Sequence, residues 1–221
     1  MSSHLQRDLD LLKKEILQLG SMVESSINKA LVALSERRPE LVEEVLQDEI
    51  QIDLQEVSIE ESCLKVLALH QPVAVDLRFI VVVLKVNNDL ERMGDFAVNV
   101  AKRAKELSEQ DPIPCPAGFT DVVPQTIRTM VRDSLTALVK FDVDIAREVI
   151  HMDDVVDQAN RLMYKDLKAL MVEDSSTVDR AVSLLSCSRY LERIADLTTN
   201  IAEDVIFMVE GEVVRHQSTG L

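Results

Sequence analysis

The stretch LERMGDFAVNVAK, residues 90–102, returns a hundred residues later as LERIADLTTNIAE, residues 191–203. The two stretches match at an offset of 101, and the regions before them match without gaps at an offset of 104. The second alignment places apolar residues at helical spacing opposite each other, such as Ile27 with Val131 and Leu31 with Leu135. The chain therefore contains two copies of one helical unit.

Each copy is predicted to contain three helices, because a helix with one apolar stripe needs partners that bury it. Apolar spacing and breakers predict helices over 4–36, 40–69, 75–109, 120–141, 143–172 and 177–210. The segment DPIPCPAG, residues 111–118, holds three of the six prolines and separates the copies. The predicted fold is all-α, six helices in two repeated three-helix bundles: residues 1–110, a linker at 111–119, residues 120–211 and a tail at 212–221.

Composition agrees with packed helices and narrows the class of partner. Of the 221 residues, 47% are hydrophobic and 3% aromatic, and the formal net charge is −15. Such a charge argues against nucleic-acid binding, which depends on Lys and Arg neutralising phosphates. No targeting segment or long apolar run is apparent, so we expect a cytoplasmic protein. Cys63, Cys115 and Cys187 lack the spacing of a disulfide framework or a thiolate zinc site.

Acidic residues recur at matching places in both copies. Glu91 and Asp95 are four residues apart on the third helix, so their side chains share one face. The second helix offers another such pair, Glu49 and Asp53. If the second and third helices are antiparallel, two clusters of four carboxylates form, the first from these residues and the second from Asp153, Asp157, Glu192 and Asp196. Asn99 and Asn200, one helical turn further, could each add a carbonyl oxygen.

Four neighbouring carboxylates repel one another, so a cation is expected among them. Oxygen ligands suit Mg²⁺, Mn²⁺, Ca²⁺ or iron, whereas zinc sites more often include Cys or His. The alternative is a solvated acidic stripe whose charge is balanced by Arg92, Arg193, Lys102 and Lys105. The spacing of the acids leaves both interpretations open. Arg92 and Arg193 lie about 100° around the helix from the preceding acids and are expected to contact a neighbouring helix or a partner.

Over residues 1–210 the chain resembles the PhoU family of phosphate-signalling regulators. The resemblance rests on the two LER repeats, on the paired acids of the second helices and on the sequence HQPVAVDLRFIVVVLKVNNDLERMGD, residues 70–95. Many relatives have His after the GD dipeptide, where this chain has Phe96 and, in the second copy, Leu197. Ala195 also takes the place of the glycine in the second copy.

The resemblance implies two symmetric three-helix bundles, with metal ions or small iron or zinc clusters on the paired acids of some members. It maps metal ligation by Fe, Mn, Mg or Zn onto the eight acids of the two clusters. It also implies negative regulation of the phosphate-starvation response, with the phosphate ABC transporter ATPase subunit and a phosphate sensor histidine kinase as partners. We further expect a homodimer that meets the membrane only through those partners.

Two other classes of protein compete with this interpretation. A ferritin-like di-iron bundle also places carboxylates between helices, but it requires Glu-x-x-His motifs that the acid-bearing helices lack. An acidic structural protein without metal is the second. The sequence shows no nucleophile with a paired base and no glycine-rich phosphate loop, so we expect a protein that is not an enzyme.

Overall fold

A computed structural model describes residues 3–116 and 118–211, and the predicted tail at 212–221 lies outside this range. Six long helices make up the described chain, with a short 3-10 turn at Ser175–Thr177 before the last one. The helices are α1 (Ser3–Ser35), α2 (Leu41–His70), α3 (Ala74–Ser108), α4 (Val122–Lys140), α5 (Val143–Glu173) and α6 (Val178–Glu210). The described residues contain no strand, which confirms the all-α prediction.

Local sequence explains the tight connections between helices. Phe141 ends α4 in the left-handed conformation, with φ of 56°. The side chain of the next residue, Asp142, then accepts hydrogen bonds from the backbone N–H groups of Asp144 and Ile145, both at 3.1 Å. These bonds satisfy two of the donors that the first turn of a helix leaves free. Two residues therefore suffice to reverse the chain between α4 and α5.

The helices pack as two bundles that share one core. In the first bundle α1, α2 and α3 contact one another, and in the second α4, α5 and α6 do so. The bundles meet where α3 packs on α6 and α1 packs on α4. Buried side chains from both halves form one continuous hydrophobic cluster. The loop between the halves is therefore not their only connection.

The contact between α3 and α6 is antiparallel and contains polar as well as aromatic groups. Lys85, near the start of α3, donates a 3.0 Å hydrogen bond to the buried carboxylate of Asp204, near the end of α6. Phe96 stacks on Tyr190 with ring centroids 6.0 Å apart. The guanidinium of Arg193 lies 5.6 Å from the centroid of the Phe96 ring, so this arginine contacts the neighbouring helix as predicted.

Arginines from both bundles hydrogen-bond to the backbone at the end of α3 and just after it. The guanidinium of Arg37, just after α1, donates hydrogen bonds to the backbone carbonyls of Leu107, Ser108 and Gln110. Arg180 on α6 donates to the carbonyl of Asp111 at 3.0 Å. The Phe119 side chain is buried in the common core. Within the described residues, no helix combines the length and hydrophobicity that crossing a bilayer requires.

Candidate metal centres

The first centre lies between α2 and α3, which run antiparallel. A Cβ atom added to Gly94 on α3 would lie 3.2 Å from Cδ1 of Ile52 on α2, so the absence of a side chain lets the helices approach closely. Seven residues earlier on α3, the Asn87 amide donates a 2.9 Å hydrogen bond to the backbone carbonyl of Glu56. Residue numbers therefore increase along α3 in the direction in which they decrease along α2. This antiparallel arrangement is the one that a cluster of four carboxylates requires.

This pairing brings the four predicted acids of the first bundle together. Burial comes first among the causes that raise the pKa of Glu49, followed by repulsion from Asp95. The pKa of Glu91 is raised by burial and then by repulsion from Asp95 and Asp53. Each of these carboxylates therefore loses hydration and meets the negative charge of the opposite helix. The resulting site is a partly solvated groove rather than an enclosed pocket, because Asp53 and Asp95 are exposed.

The second bundle repeats the arrangement between α5 and α6. The hydroxyl of Ser188 donates a 2.7 Å hydrogen bond to the Asn160 side chain, at the positions equivalent to Asn87 and Glu56. Burial, followed by repulsion from Asp196 and Asp157, raises the pKa of Asp153 to about 7. Partial desolvation and repulsion from Glu192 raise the pKa of Asp196.

The helix contacts beside the two centres are matched in volume. Where the first bundle places Gly94 against Ile52, the equivalent positions of the second bundle hold the buried residues Ala195 and Val156. Ala195 is larger than Gly94 by one carbon, and Val156 is smaller than Ile52 by one carbon. This exchange keeps the volume between the two helices nearly constant, which well-packed contacts tolerate best.

Two observations favour a cation in these centres. Oδ1 of Asp153 is buried and has no hydrogen-bond partner, which is costly for a carboxylate oxygen. In the first bundle the carboxylate of Asp95 is close enough to Glu49 for its charge to raise the pKa of that side chain, after the larger effect of burial. A hard metal ion would satisfy the unpartnered oxygen and offset this repulsion.

Other observations favour neutralisation of the acid clusters by Lys and Arg side chains. Arg161 on α5 donates a 2.9 Å hydrogen bond to Asp157, and the charge of Lys102 lowers the pKa of Glu49. Arg92 lies 3.6 Å from Asp89, and its charge also opposes the rise in the pKa of Glu91. Within 3–116 and 118–211, no three His, Cys, Asp or Glu side chains stand ready to enclose one ion. Metal binding would therefore require these side chains to rotate toward the ion, and it stays a prediction.

The two predicted peripheral ligands differ in their surroundings. Asn99 is half-buried on α3, and Asn200 lines a polar cavity at the α3–α6 contact together with Arg193 and Asp196, an acid of the second cluster. Neither asparagine hydrogen-bonds to an acid of its cluster among the described residues. Ligation by these amide oxygens therefore stays a prediction.

Two further acids extend the clusters and were not among the predicted residues. Glu56 faces Glu91 and Asp53, and its pKa is raised by burial and then by repulsion from Glu60 and Asp53.

 The signal for Glu56 was its position seven residues after Glu49, but the repeat hid it, because the second copy has Asn160 there. Asp154 adds negative charge next to Asp153, and the first copy has Ile50 at the equivalent position. The repeat reveals only the acids that both copies share.

The three cysteines offer no alternative ligands. All are free thiols, and Cys63 and Cys187 are buried. Burial raises the pKa of Cys63 to about 12 and that of Cys115 to about 11, so the thiolate form that binds metals is disfavoured. The chemistry of the centres is therefore that of carboxylate oxygens.

Comparison with known proteins agrees with the duplicated fold. The family model described as the PhoU domain matches residues 16–104 and 124–205, one match in each bundle. A phosphate-specific transport system accessory protein PhoU homolog from Aquifex aeolicus (strain VF5) is 38% identical over 213 residues, which cover 96% of each chain. The homolog from Pseudomonas putida is 37% identical over 98% of this chain and 84% of its own length.

The same likeness extends to three dimensions. The crystal structure of PhoU from Pseudomonas aeruginosa superposes with a TM-score of 0.90 at 35% identity, covering 94% of this chain and 99% of that one. Both the repeated sequence and the paired bundles are thus shared with proteins of known structure. The chain belongs to the PhoU family.

Proposed function

We propose that this chain is an accessory protein of a phosphate-specific transport system and a negative regulator of the phosphate-starvation response. In this role it couples the ATPase subunit of a phosphate ABC transporter to a sensor histidine kinase. The observation that supports the proposal most is the family match in both bundles, together with relatives that carry the accessory-protein name over nearly their whole length. We place the protein in the cytoplasm as a homodimer that acts by protein contact and not by catalysis.

The carboxylate clusters have a structural part in this proposal. In each bundle the acids would hold a metal ion, with iron, manganese, magnesium and zinc as the candidates. A bound cation supplies positive charge that offsets the repulsion between α2 and α3, or between α5 and α6. The buried and unpartnered Oδ1 of Asp153 supports such a site in the second bundle. Metal would thereby stabilise the contact between the two helices of each pair.

Repression at high phosphate tests the regulatory role. In a strain that lacks the protein but keeps its phosphate transporter, a reporter driven by a phosphate-starvation promoter should be active even when phosphate is abundant. A plasmid copy of the wild-type chain should restore repression. Normal repression in the deletion strain would rule out the proposed role, whatever the outcome of metal measurements.

A second candidate is a helical adaptor whose acids bind no metal. The 2.9 Å bond from Arg161 to Asp157 favours it, because this carboxylate already has a cationic partner. Complementing the deletion strain with a copy that carries Glu91→Gln and Asp95→Asn, and measuring repression of the reporter, separates the two candidates. Full repression by that variant would favour the adaptor without metal, and loss of repression with an intact fold would favour the metal-dependent regulator.

A further inference from the structure

The outer face of α2 carries a stripe of exposed apolar side chains. Ile50, Leu54, Val57 and Leu64 are 51%, 63%, 51% and 55% exposed. At 100° per residue these four positions fall within an arc of about 80°, and they extend along roughly 20 Å of the helix. Among the described residues α2 packs only on α1 and α3, so this face has no partner within the described chain.

The internal repeat supplies a comparison within the same molecule. At the equivalent positions of α5 the chain has Asp154, Gln158, Arg161 and Lys168, and all four are exposed. The shared fold therefore accepts polar side chains at these places, and folding does not require apolar ones. The stripe is specific to α2, which is the pattern expected of a contact surface.

Charge around the stripe indicates what kind of surface fits it. Helix α2 contains eight carboxylates and one lysine, Lys65, whereas α5 contains seven carboxylates and four basic residues. Asp53 and Glu60 are exposed and lie along one border of the stripe. Two copies of α2 placed face to face would bring these acids together, which disfavours self-association through this face.

We propose that the outer face of α2 docks an amphipathic helix of a partner protein whose apolar side is bordered by Lys or Arg. The apolar side of that helix would cover the four stripe residues, and its basic border would meet Asp53 and Glu60. This is the helix-on-helix mode of recognition, with apolar anchors at helical spacing and charge that selects the partner. The proposal goes beyond the regulatory role above and does not depend on its named partners. Asp53 is also a predicted metal ligand, whereas Glu60 is not, so Glu60 is available to the basic border with or without metal.

A designed peptide tests the surface directly. The probe is a labelled helix of about 21 residues with Leu at heptad positions a and d and Lys at the flanking positions, and the comparison peptide has Glu in place of Lys. Fluorescence anisotropy with the full chain should show at least roughly tenfold tighter binding of the basic peptide. Raising NaCl from about 50 to about 300 mM should weaken that binding, because part of it is electrostatic.

The repeat also provides the variants. Leu54→Gln, Val57→Arg and Leu64→Lys together give α2 the residues that α5 has at these places, and should weaken peptide binding at least roughly tenfold. The matched control makes the same kinds of change on exposed apolar residues of α5: Val155→Gln, Leu162→Arg and Val172→Lys. The control should bind the peptide as wild type does. Circular dichroism and melting curves should show both triple variants folded, since the exposed positions tolerate polar residues.

Several results would overturn the proposal. These are no binding of the basic peptide to wild type, equal binding of both peptides, or equal binding by wild type and the α2 variant. Sedimentation tests whether a second copy of the chain covers the stripe. If wild type and the α5 control variant are dimers and the α2 variant is a monomer, the stripe would be assigned to self-association. If a chain ending at Gly211 binds the peptide at least roughly tenfold tighter than the full chain does, residues 212–221 would be assigned as the occupant of the stripe.

Discussion

Replacing Asp153 with Asn should stabilise the metal-free protein, and the gain should grow with pH. Burial and the neighbouring carboxylates Asp196 and Asp157 raise the folded-state pKa of Asp153 from 3.8 to about 7. Between these two values the folded protein holds a proton that the unfolded chain has already released. The stability linked to this group is therefore fully present below the unfolded pKa and is lost as pH rises through the folded pKa.

The pKa difference sets the magnitude. A shift of about three pKa units corresponds to a ceiling of about 4 kcal/mol at about 1.4 kcal/mol per unit. The Asp153 side chain is only partly buried, so solvent screening reduces this figure, and we expect about 2 kcal/mol. An Asn side chain has nearly the same shape as Asp and cannot ionise. The free energy of unfolding of the variant at pH 8 should therefore exceed that of wild type by this amount.

Urea unfolding in the presence of a chelator measures the effect. The difference in unfolding free energy between Asp153→Asn and wild type should rise by roughly 1 to 2 kcal/mol between about pH 5 and pH 7.5 and then level off. Asp166→Asn, on an exposed position of the same helix, is the control and should show little change with pH. A difference for Asp153→Asn that stays flat or falls over this range would refute the electrostatic description of the second centre.

Two further predictions concern packing. Gly94→Ala should have a net cost of about 1 kcal/mol, because the added Cβ would lie 3.2 Å from Ile52 and this overpacking should exceed the roughly 1 kcal/mol of helix propensity that Ala gains over Gly. Combining it with Ile52→Val should cost less than the sum of the two single changes by about 1 kcal/mol, as the Ala195 and Val156 pair suggests, and additive costs in denaturant melts would contradict this. Lys85→Met should cost about 2 kcal/mol, because buried Asp204 loses a charged partner across the α3–α6 contact. Lys14→Met, at an exposed position, should cost under about 0.5 kcal/mol in the same melts, and equal costs for both would contradict the prediction.

The helices and the pairing of the acids could be predicted from sequence because both depend on local periodicity and on the repeat. All six helices begin and end within two residues of their predicted bounds. The antiparallel approach of α2 and α3, which the acid clusters required, is confirmed by the contact of Gly94 with Ile52. Short connections between long helices leave few other arrangements.

Features outside the repeat could not be predicted in this way. The bond from Lys85 to Asp204 joins the two copies, and nothing in either copy alone specifies how they pack. Glu56 belongs to the first cluster, but its counterpart Asn160 is not an acid. Residues 111–119 were expected to act as a linker between the bundles. Arg180 on α6 donates a hydrogen bond to the carbonyl of Asp111 in that segment, and Arg37 donates to the carbonyls of Leu107, Ser108 and Gln110 just before it. Such contacts depend on tertiary structure and not on spacing.

Metal-dependent melting distinguishes metal centres from a solvated acidic surface. Wild type, the variant Glu91→Gln plus Asp95→Asn and the variant Glu192→Gln plus Asp196→Asn would each be melted with chelator and with Mn²⁺ or Fe²⁺. A filled site at 100 times its dissociation constant should stabilise wild type by about 2.7 kcal/mol, and each variant should lose the response of its own bundle while being at least as stable as wild type in chelator.

The competing interpretation predicts a different pattern in the same curves. If arginine and lysine at the surface balance the acids, replacing the acids with amides should lower the free energy of unfolding by at most about 1 kcal/mol. Added metal should then leave the stability of all three proteins unchanged. An equal metal response in wild type and both variants would likewise remove these residues from the metal centres. We expect a metal response that disappears bundle by bundle, and either of the other two patterns would contradict metal binding by these acids.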